Sequence, residues 1–296
     1  MSAPPTERVK PSPAGDEDLT RLRNADARRG RLVRGVMLAV ALVYVSVLLL
    51  APLAGIFIYA LRSGLGTIGQ TFSEPDVRHA FLLTFVIMAI TVVVTTFFGV
   101  IVALVLARDR FAGKRLVSAL VDLPLAVSPV VVGLMAVLLF GRGGWFEPFF
   151  AARGVQIMFA LPAMILVTIF ISIPFVIREV VPVLQELGME EEQAAWTLGA
   201  SRVQTFFRVT LRNIRWGLLY GIALSAARAI GEVGAVLIVS GTITGRTETA
   251  TLYILRAFDQ YKDQQGYIVA LTLATFSIVL LIGIETFKRR RTAEAD

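Results

Sequence analysis

The sequence of 296 residues has no cysteine and only one histidine, His79. Disulfide bonds and thiolate metal ligands are therefore excluded, and a single imidazole does not favour a histidine-based metal site or catalytic triad. The chain also lacks the Gly-x-x-x-x-Gly-Lys-Ser/Thr loop that holds nucleotide phosphates, so any ATP that it depends on is hydrolysed by another polypeptide. We expect no catalytic residue, no metal and no cofactor in this chain.

Charged residues are scarce as well, at 17% of the chain against 56% hydrophobic residues. This composition, together with several apolar runs of about twenty residues, is typical of a membrane protein with many spans. Pro124 and Pro129 interrupt one of these runs, which we therefore predict to be kinked or broken and to face protein or a cavity. The predicted spans are residues 35–61, 79–107, 116–140, 155–177, 216–240 and 266–287.

Lysine and arginine are unevenly distributed between the two sides of these spans. One side, with both tails, the second connection, Arg178 and the polar segment 186–215, carries 21 of them, and the other side carries seven. The positive-inside rule therefore predicts that both termini and this segment are cytoplasmic, which explains the net charge of +7 without nucleic acid. By composition, residues 1–34 are predicted to be a disordered tail and residues 288–296 a short basic tail.

The polar segment 186–215, here called the island, has helix-forming composition on both sides of Gly199. Acidic residues near its start suit a helix N-terminus, and two small alanines after them let another surface approach closely. Gly199 is expected to end this helix and Ser201 to cap a second one. We interpret the island as a structured surface for a partner, formed by Glu190, Glu191, Glu192, Gln193, Ala194, Ala195, Gly199, Ala200 and Ser201.

Three charged residues fall inside predicted spans. Arg228 and Glu232 are four residues apart, which places them on one face of a helix, and a charge at the bilayer centre costs roughly 2.5–3.5 kcal/mol unless it is paired or hydrated. They either form an ion pair that fixes helix packing, or Arg228 lies beside an anion pathway and Glu232 holds its guanidinium. Asp122 is expected either to bond the broken helix near Pro124 or to belong to the same pathway.

The island carries a recognisable pattern. Ala194-Ala195-x-x-x-Gly199, nine further residues and Val209-x-Leu211 are similar to the signature of the membrane subunits of bacterial ABC importers, which begins Glu-Ala-Ala and ends Ile-x-Leu-Pro. Gln193 stands where the signature has glutamate. If the glutamate pairs with a basic group on the ATPase, Gln193 keeps the hydrogen bond to that group and loses the charge. Arg212 stands where it has proline, so the second helix is expected to continue into the fifth span. The longer run TLGASRVQTFFRVTLRNIRWGLLYGIALSAARAIGEVGAVLIVSG resembles the W-type permeases of sulfate/thiosulfate importers, and a weaker resemblance extends from about residue 32 to the C terminus.

The resemblance implies an all-α membrane protein with the six-span bundle of a type I ABC importer permease, lying in the inner or plasma membrane. It implies two copies of an ABC ATPase docked on the island, a second permease of the T type and an extracytoplasmic sulfate-binding protein. A permease for molybdate, tungstate or another oxyanion is an alternative. From other classes, an intramembrane hydrolase lacks paired catalytic groups, and a proton-coupled carrier using Glu232 would usually show inverted repeats, which the sequence does not show.

Overall fold

The computed structural model describes residues 13–62 and 64–292, and within these ranges all regular structure is helical. The chain divides into two compact units, residues 1–57 and 58–296. The first consists, where described, of most of helix α1, and the second contains everything that follows. The helices are α1 (Pro13–Leu61), α2 (Leu65–Ser73), α3 (Pro75–Arg108), α4 (Lys114–Ala126), α5 (Pro129–Phe140), α6 (Glu147–Ala151), α7 (Leu161–Leu187), α8 (Glu190–Thr197), α9 (Arg202–Thr205), α10 (Leu211–Ile230), α11 (Gly234–Ser240), α12 (Ala250–Asp259) and α13 (Asp263–Thr292), with a π-helical turn (Phe206–Thr210) between α9 and α10.

Four stretches are long and apolar enough to cross a membrane: Val33–Leu61, Pro75–Arg108, Leu161–Leu187 and Asp263–Ile284. Two further candidates are bent helix pairs, α4 with α5 at 110° and α9–α10 with α11 at 53°. Counting each bent pair as one span gives the six that the sequence predicts.

The break predicted in the third span is confirmed, and its position follows from proline chemistry. α4 ends at Ala126 and α5 begins at Pro129. Proline is tolerated in the first turn of a helix but not in its interior. Ser128, the residue before this proline, has the extended ψ of 136° that proline imposes on its predecessor. After the break α5 packs closely on α11. A Cβ on Gly133 would lie only 2.8 Å from the Cβ of Ile238, so this contact requires glycine at position 133.

The fourth span differs from the prediction of 155–177. α7 begins at Leu161, next to Pro162, and continues past Arg178 to Leu187. The predicted span ends at the first charge, but Val180 and Leu184 on the following turns are fully buried and extend the packed face. The first two residues of the island therefore belong to α7, which ends before Gly188 with its φ of +64°.

The tails also differ from the prediction. Residues 13–34, predicted to be disordered, are helical and form the first part of α1, while residues 1–12 lie outside the described residues. At the other end α13 extends to Thr292 through most of the predicted basic tail, and residues 293–296 lie outside the description. Both extensions continue a long apolar helix, and adding residues to an existing helix avoids the cost of nucleation.

The centre of the bundle is formed by α3, α7 and α10. Gly221 brings the backbone of α10 close to that of α7, since a Cβ there would lie only 3.0 Å from the Cα of Val176 in α7. Small residues at such crossings let membrane helices gain close van der Waals contact, which replaces the hydrophobic drive that lipid does not provide. On one side of this centre lies a buried apolar cluster, the α3–α7–α10 cluster, formed by Val100, Ala103, Leu106, Val176, Ile177, Val180, Leu184 and Ile214.

Candidate functional site

The first helix of the island, α8, ends in a glycine turn as predicted. Gly199 has a φ of +85°, which is a left-handed conformation that costs glycine nothing. The Gly199 amide donates to the Trp196 carbonyl and the Ala200 amide donates to the Ala195 carbonyl, both at 3.0 Å. These two bonds form a Schellman motif, which satisfies the last carbonyls of α8 and reverses the chain direction.

Ser201 caps the second part of the island, also as predicted. Its Oγ accepts a hydrogen bond from the Gln204 amide, and Gln204 Oε1 accepts one from the Ser201 amide, which together make a capping box. From Arg202 the helical chain continues without interruption through the π-helical turn into α10. Arg212, which stands where the signature has proline, lies within the first turn of α10. The expected continuation of the second helix into the fifth span is therefore confirmed.

One acid of α8 is buried, which the sequence analysis did not predict. Glu192 Oε1 accepts hydrogen bonds from Arg108 Nη2 at 3.0 Å and from Thr210 Oγ1 at 2.8 Å. Arg108 is the last residue of α3, and Thr210 is the last residue of the π-helical turn. A single carboxylate oxygen thus joins three elements, and we call this arrangement the Glu192 contact. Beside it, the Asn213 amide donates to Glu191 Oε2 at 2.6 Å.

The other predicted island residues are more accessible. Ala195 and Ala200 are half-buried, and the remainder of the set other than Glu192 is exposed. Several large apolar side chains nearby are exposed too, which was not predicted from the sequence. They are Trp196, Leu198, Val203 and Phe207, and Leu198 is 88% exposed. Exposed apolar groups next to polar ones are typical of a protein–protein contact.

Arg228 and Glu232 are paired, but they do not lie on one helix. Arg228 is in the last turn of α10, whereas Glu232 follows the end of that helix, in the break before α11. Arg228 Nη1 lies 2.6 Å from Glu232 Oε2, without the alignment of a hydrogen bond. Glu232 Oε1 accepts from the Ala235 amide at 2.8 Å, so the carboxylate also caps the broken span.

The surroundings of this pair are polar. Glu232 borders a small cavity of about 10 Å³ that is also lined by four threonine residues, and Thr251 Oγ1 donates to the Glu232 carbonyl at 2.9 Å. The Glu232 side chain is 2% exposed, whereas that of Arg228 is 27% exposed. Arg228 is thus the more accessible member of the pair.

Asp122 pairs with Arg178 rather than bonding the broken helix at Pro124. Asp122 Oδ1 accepts from Arg178 Nε at 2.6 Å, and Oδ2 accepts from Nη2 of the same guanidinium. This pair joins α4 to α7 and is largely accessible. Arg178 was predicted to lie in the cytoplasmic connection, outside the spans, so this pairing of Asp122 was not predicted.

A second polar network lies at the opposite end of α3 and was also missed. Arg256 of α12 holds both carboxylate oxygens of Glu248, at 2.6 and 2.9 Å, and lies 3.6 Å from Asp76. Its hydrogen bond to Glu248 raises the pKa of Arg256. We call this the Arg256 network, which includes Glu74, Asp76, Glu248, Tyr253, Arg256 and Gln265.

Tyr253 extends this network to the start of α13. Its hydroxyl contacts Glu74 Oε2 at 3.3 Å and Gln265 Oε1 at 3.0 Å, and the Gln265 amide donates to Glu74 Oε1 at 2.6 Å. Burial, assisted by the Glu74 carboxylate, raises the pKa of Tyr253 to about 12. The phenol therefore stays protonated and can serve as a donor across the ordinary pH range.

Residues 95–292 match the family described as the binding-protein-dependent transport system inner membrane component. The sulfate transport system permease protein CysW of Synechocystis sp. is 44% identical over 258 residues, which are 87% of this chain and 94% of that protein. CysW of Escherichia coli K12 is 41% identical, over 89% of this chain and 91% of its own length. CysT of Synechocystis sp. is 34% identical, over 84% and 87%.

Among solved structures, a bacterial alginate ABC transporter in complex with a periplasmic protein matches with a TM-score of 0.74 at 18% identity, covering 90% of this chain and 97% of that chain. At this identity the likeness concerns the fold alone, and it agrees with a helical ABC importer permease. The family match spans most of the chain and the relatives span nearly all of it. The chain therefore belongs to the binding-protein-dependent transport system inner membrane components, the permease subunits of ABC importers.

Proposed function

We propose that this chain is the W-type permease subunit of an importer of sulfate or thiosulfate. The observation that carries the proposal is the identity of 44% and 41% to two permeases named CysW, against 34% to one named CysT. The complex would contain a T-type partner permease, two copies of an ATPase and an extracytoplasmic sulfate-binding protein. The CysT relatives support a distinct partner permease, because two related permeases of sulfate systems carry different names.

The test of the substrate is uptake by a strain that lacks this chain. We expect uptake of labelled sulfate to be lost and to return when the chain is supplied from a plasmid, while molybdate uptake stays unchanged. Molybdate and tungstate are the alternative cargo, since they are oxyanions of the same charge. Lost molybdate uptake with unchanged sulfate uptake would assign the chain to that alternative.

The membrane orientation in this proposal has both termini and the island in the cytoplasm. It is supported by the excess of lysine and arginine on that side, 21 against seven. In this orientation α8 and the π-helical turn face the cytoplasm, where ATP is available, and the Arg256 network faces the cell exterior. Protease cleavage in right-side-out vesicles at a site inserted after Leu198 tests it, because an island on the outside would be cut.

The proposed contact with the ATPase is α8 with the glycine turn after it. Its support is a short helix that presents exposed polar residues and the exposed Trp196 and Leu198. When the two ATPases close on ATP, they would displace α8, and the attached spans would move as rigid bodies. Cysteine at Ala195 is expected to crosslink to a cysteine-bearing ATPase, whereas cysteine at the distant, exposed Tyr261 is the control. Absence of crosslinks from every position between 191 and 201 would refute this contact.

For Arg228 we propose a place beside the anion pathway, with Glu232 fixing its position. The partial exposure of the Arg228 side chain, beside a buried Glu232 side chain, supports this. Arg228→Ala is expected to reduce sulfate uptake at least about tenfold in a complex that still assembles. This is the effect of losing one charge-assisted hydrogen bond to the anion. Loss of assembly instead would indicate a structural ion pair.

A further inference from the structure

The side chains that hydrogen-bond α8 to other elements are two of its acids. Among the described residues, no side chain of α8 belongs to any of the three buried apolar clusters. The side-chain hydrogen bonds to other elements are those of the Glu192 contact and the bond between Glu191 and Asn213. Besides the backbone, these few hydrogen bonds connect a displacement of α8 to the spans.

Glu192 is the better placed of the two acids for this role. Its carboxylate is buried and bonded to Arg108 and Thr210, whereas Glu191 is exposed and bonds one side chain. Low dielectric strengthens a buried charge-assisted bond, and a lost partner leaves a charge that water cannot fully solvate. The Arg108–Glu192 bond therefore resists extension more than a surface pair would.

The two donors lie on elements that continue directly into the centre of the bundle. Arg108 ends α3, whose residues Ala103 and Leu106 belong to the α3–α7–α10 cluster. Thr210 ends the π-helical turn, and the next turn of helix contains Ile214, which belongs to the same cluster. π-helical turns inside longer helices are often found at functional positions. A pull on Glu192 thus reaches two central helices at once.

We infer that Glu192 is the positioning residue that transmits displacement of α8 to α3 and α10, through Arg108 and Thr210. This rests on the proposed function, in which α8 meets the ATPase. It also separates two roles within neighbouring positions: Gln193, at the place of the signature glutamate, is exposed toward the partner, and Glu192 faces inward. The contact toward the ATPase and the contact toward the spans are then made by different residues of one helix.

The experiment uses the whole complex in proteoliposomes and measures sulfate uptake, ATP hydrolysis and the amount of ATPase that co-purifies. Glu192→Gln and Arg108→Gln are each expected to lower the sulfate transported per ATP hydrolysed about tenfold, the effect of weakening one charge-assisted bond. Both should leave the amount of bound ATPase unchanged. Arg110→Gln is the matched control, because Arg110 is an exposed arginine two residues further along. The double variant should be no worse than either single one.

Two further variants test for a merely structural role. Arg108→Lys keeps the charge and should recover much of the transport per ATP. Thr210→Val removes one hydroxyl at nearly constant shape and is expected to lower the sulfate transported per ATP hydrolysed about threefold. If the charge variants do not assemble, this variant decides whether the Glu192 contact transmits displacement.

An unchanged transport-to-hydrolysis ratio in the Glu192, Arg108 and Thr210 variants, with ATPase still bound, would overturn the inference and leave the docking proposal intact. Loss of bound ATPase in Glu192→Gln would overturn it too, since Glu192 would then only shape α8. Absence of crosslinks to the ATPase from cysteines placed at every position between 191 and 201, in a chain otherwise unchanged, is a separate result, which refutes the docking contact itself.

Discussion

α3 begins in the Arg256 network and ends in the Glu192 contact, and the two are built differently. In the Arg256 network a guanidinium holds both oxygens of a buried carboxylate, and Tyr253 and Gln265 add bonds from α12 and α13 to Glu74. In the Glu192 contact two donors share one oxygen, and Arg108 Nε is buried without a hydrogen-bond partner. The first has several parallel connections, whereas the second depends on one atom.

This difference suits the two ends to different tasks. Several bonds in parallel hold their elements in a fixed geometry even when one of them lengthens, so the Arg256 network gives α3, α12 and α13 a common frame. A single shared oxygen transmits a displacement but adds little rigidity. In the chain, Glu192 is followed by the glycine turn at Gly199 and by the π-helical turn, both of which are local departures from regular α-helix. We therefore expect the α3 terminus at Arg108 to be the more mobile one.

The largest expected effect is on stability, at the rigid end. Glu248→Gln leaves Arg256 without its buried charged partner, and breaking a buried pair in this way costs about 3 kcal/mol of unfolding free energy. The measurement is thermal unfolding of the purified chain in detergent. Asp76→Asn is the control, because Asp76 is nearly half exposed and 3.6 Å from Arg256, and its loss is expected to cost below about 1 kcal/mol.

The same measurement on Glu192→Gln compares the two ends directly. Two hydrogen bonds are weakened but not abolished, so the expected loss is about 1 to 2 kcal/mol. A loss equal to or larger than that of Glu248→Gln would contradict the distinction between a rigid and a mobile end.

A smaller effect is expected from pH, again at the rigid end. Folding raises the pKa of Tyr253 from 10.0 to about 12, so the protonated phenol favours the folded state. Its contribution is complete below pH 10 and is lost as the pH rises through the folded pKa. Between these values the unmodified protein should lose stability more steeply than Tyr253→Phe. Tyr261→Phe, at an exposed tyrosine outside the network, is the control and should keep the slope of the unmodified protein. Equal slopes in the unmodified protein and both variants would show that the Tyr253 hydroxyl does not stabilise the fold.

Features that follow from local chemistry were predictable from the sequence. The number of spans follows from the length that an apolar helix needs to cross the bilayer. The break at Pro129, the turn at Gly199 and the cap at Ser201 follow from residues whose backbone preferences act within a few positions. The uninterrupted passage from α9 to α10 followed in the same way from Arg212 standing where the signature has proline.

The pairings were not predictable, because their partners are far apart in the chain. Asp122 and Arg178 are separated by 56 residues, and Arg108 and Glu192 by 84. No periodicity connects such positions, so Arg178 was assigned to the cytoplasmic connection and α7 was ended ten residues too early. Glu232 illustrates the opposite error: a spacing of four suggested one helix, but Glu232 lies beyond its end and caps the next one.

The smallest expected effect is local to the mobile end. Ser201→Ala removes the oxygen that accepts from the Gln204 amide, and loss of such a cap costs about 1 kcal/mol. Because α9 is only four residues long, this loss should raise the rate of amide exchange in α9 and in the π-helical turn, while α12 keeps its protection. Ser201→Asp retains a capping oxygen and should exchange as the unmodified protein does. If exchange rose in α12 as well, the two ends of α3 would unfold as one cooperative unit, and the parallel bonds around Arg256 would not insulate that end from changes in the island.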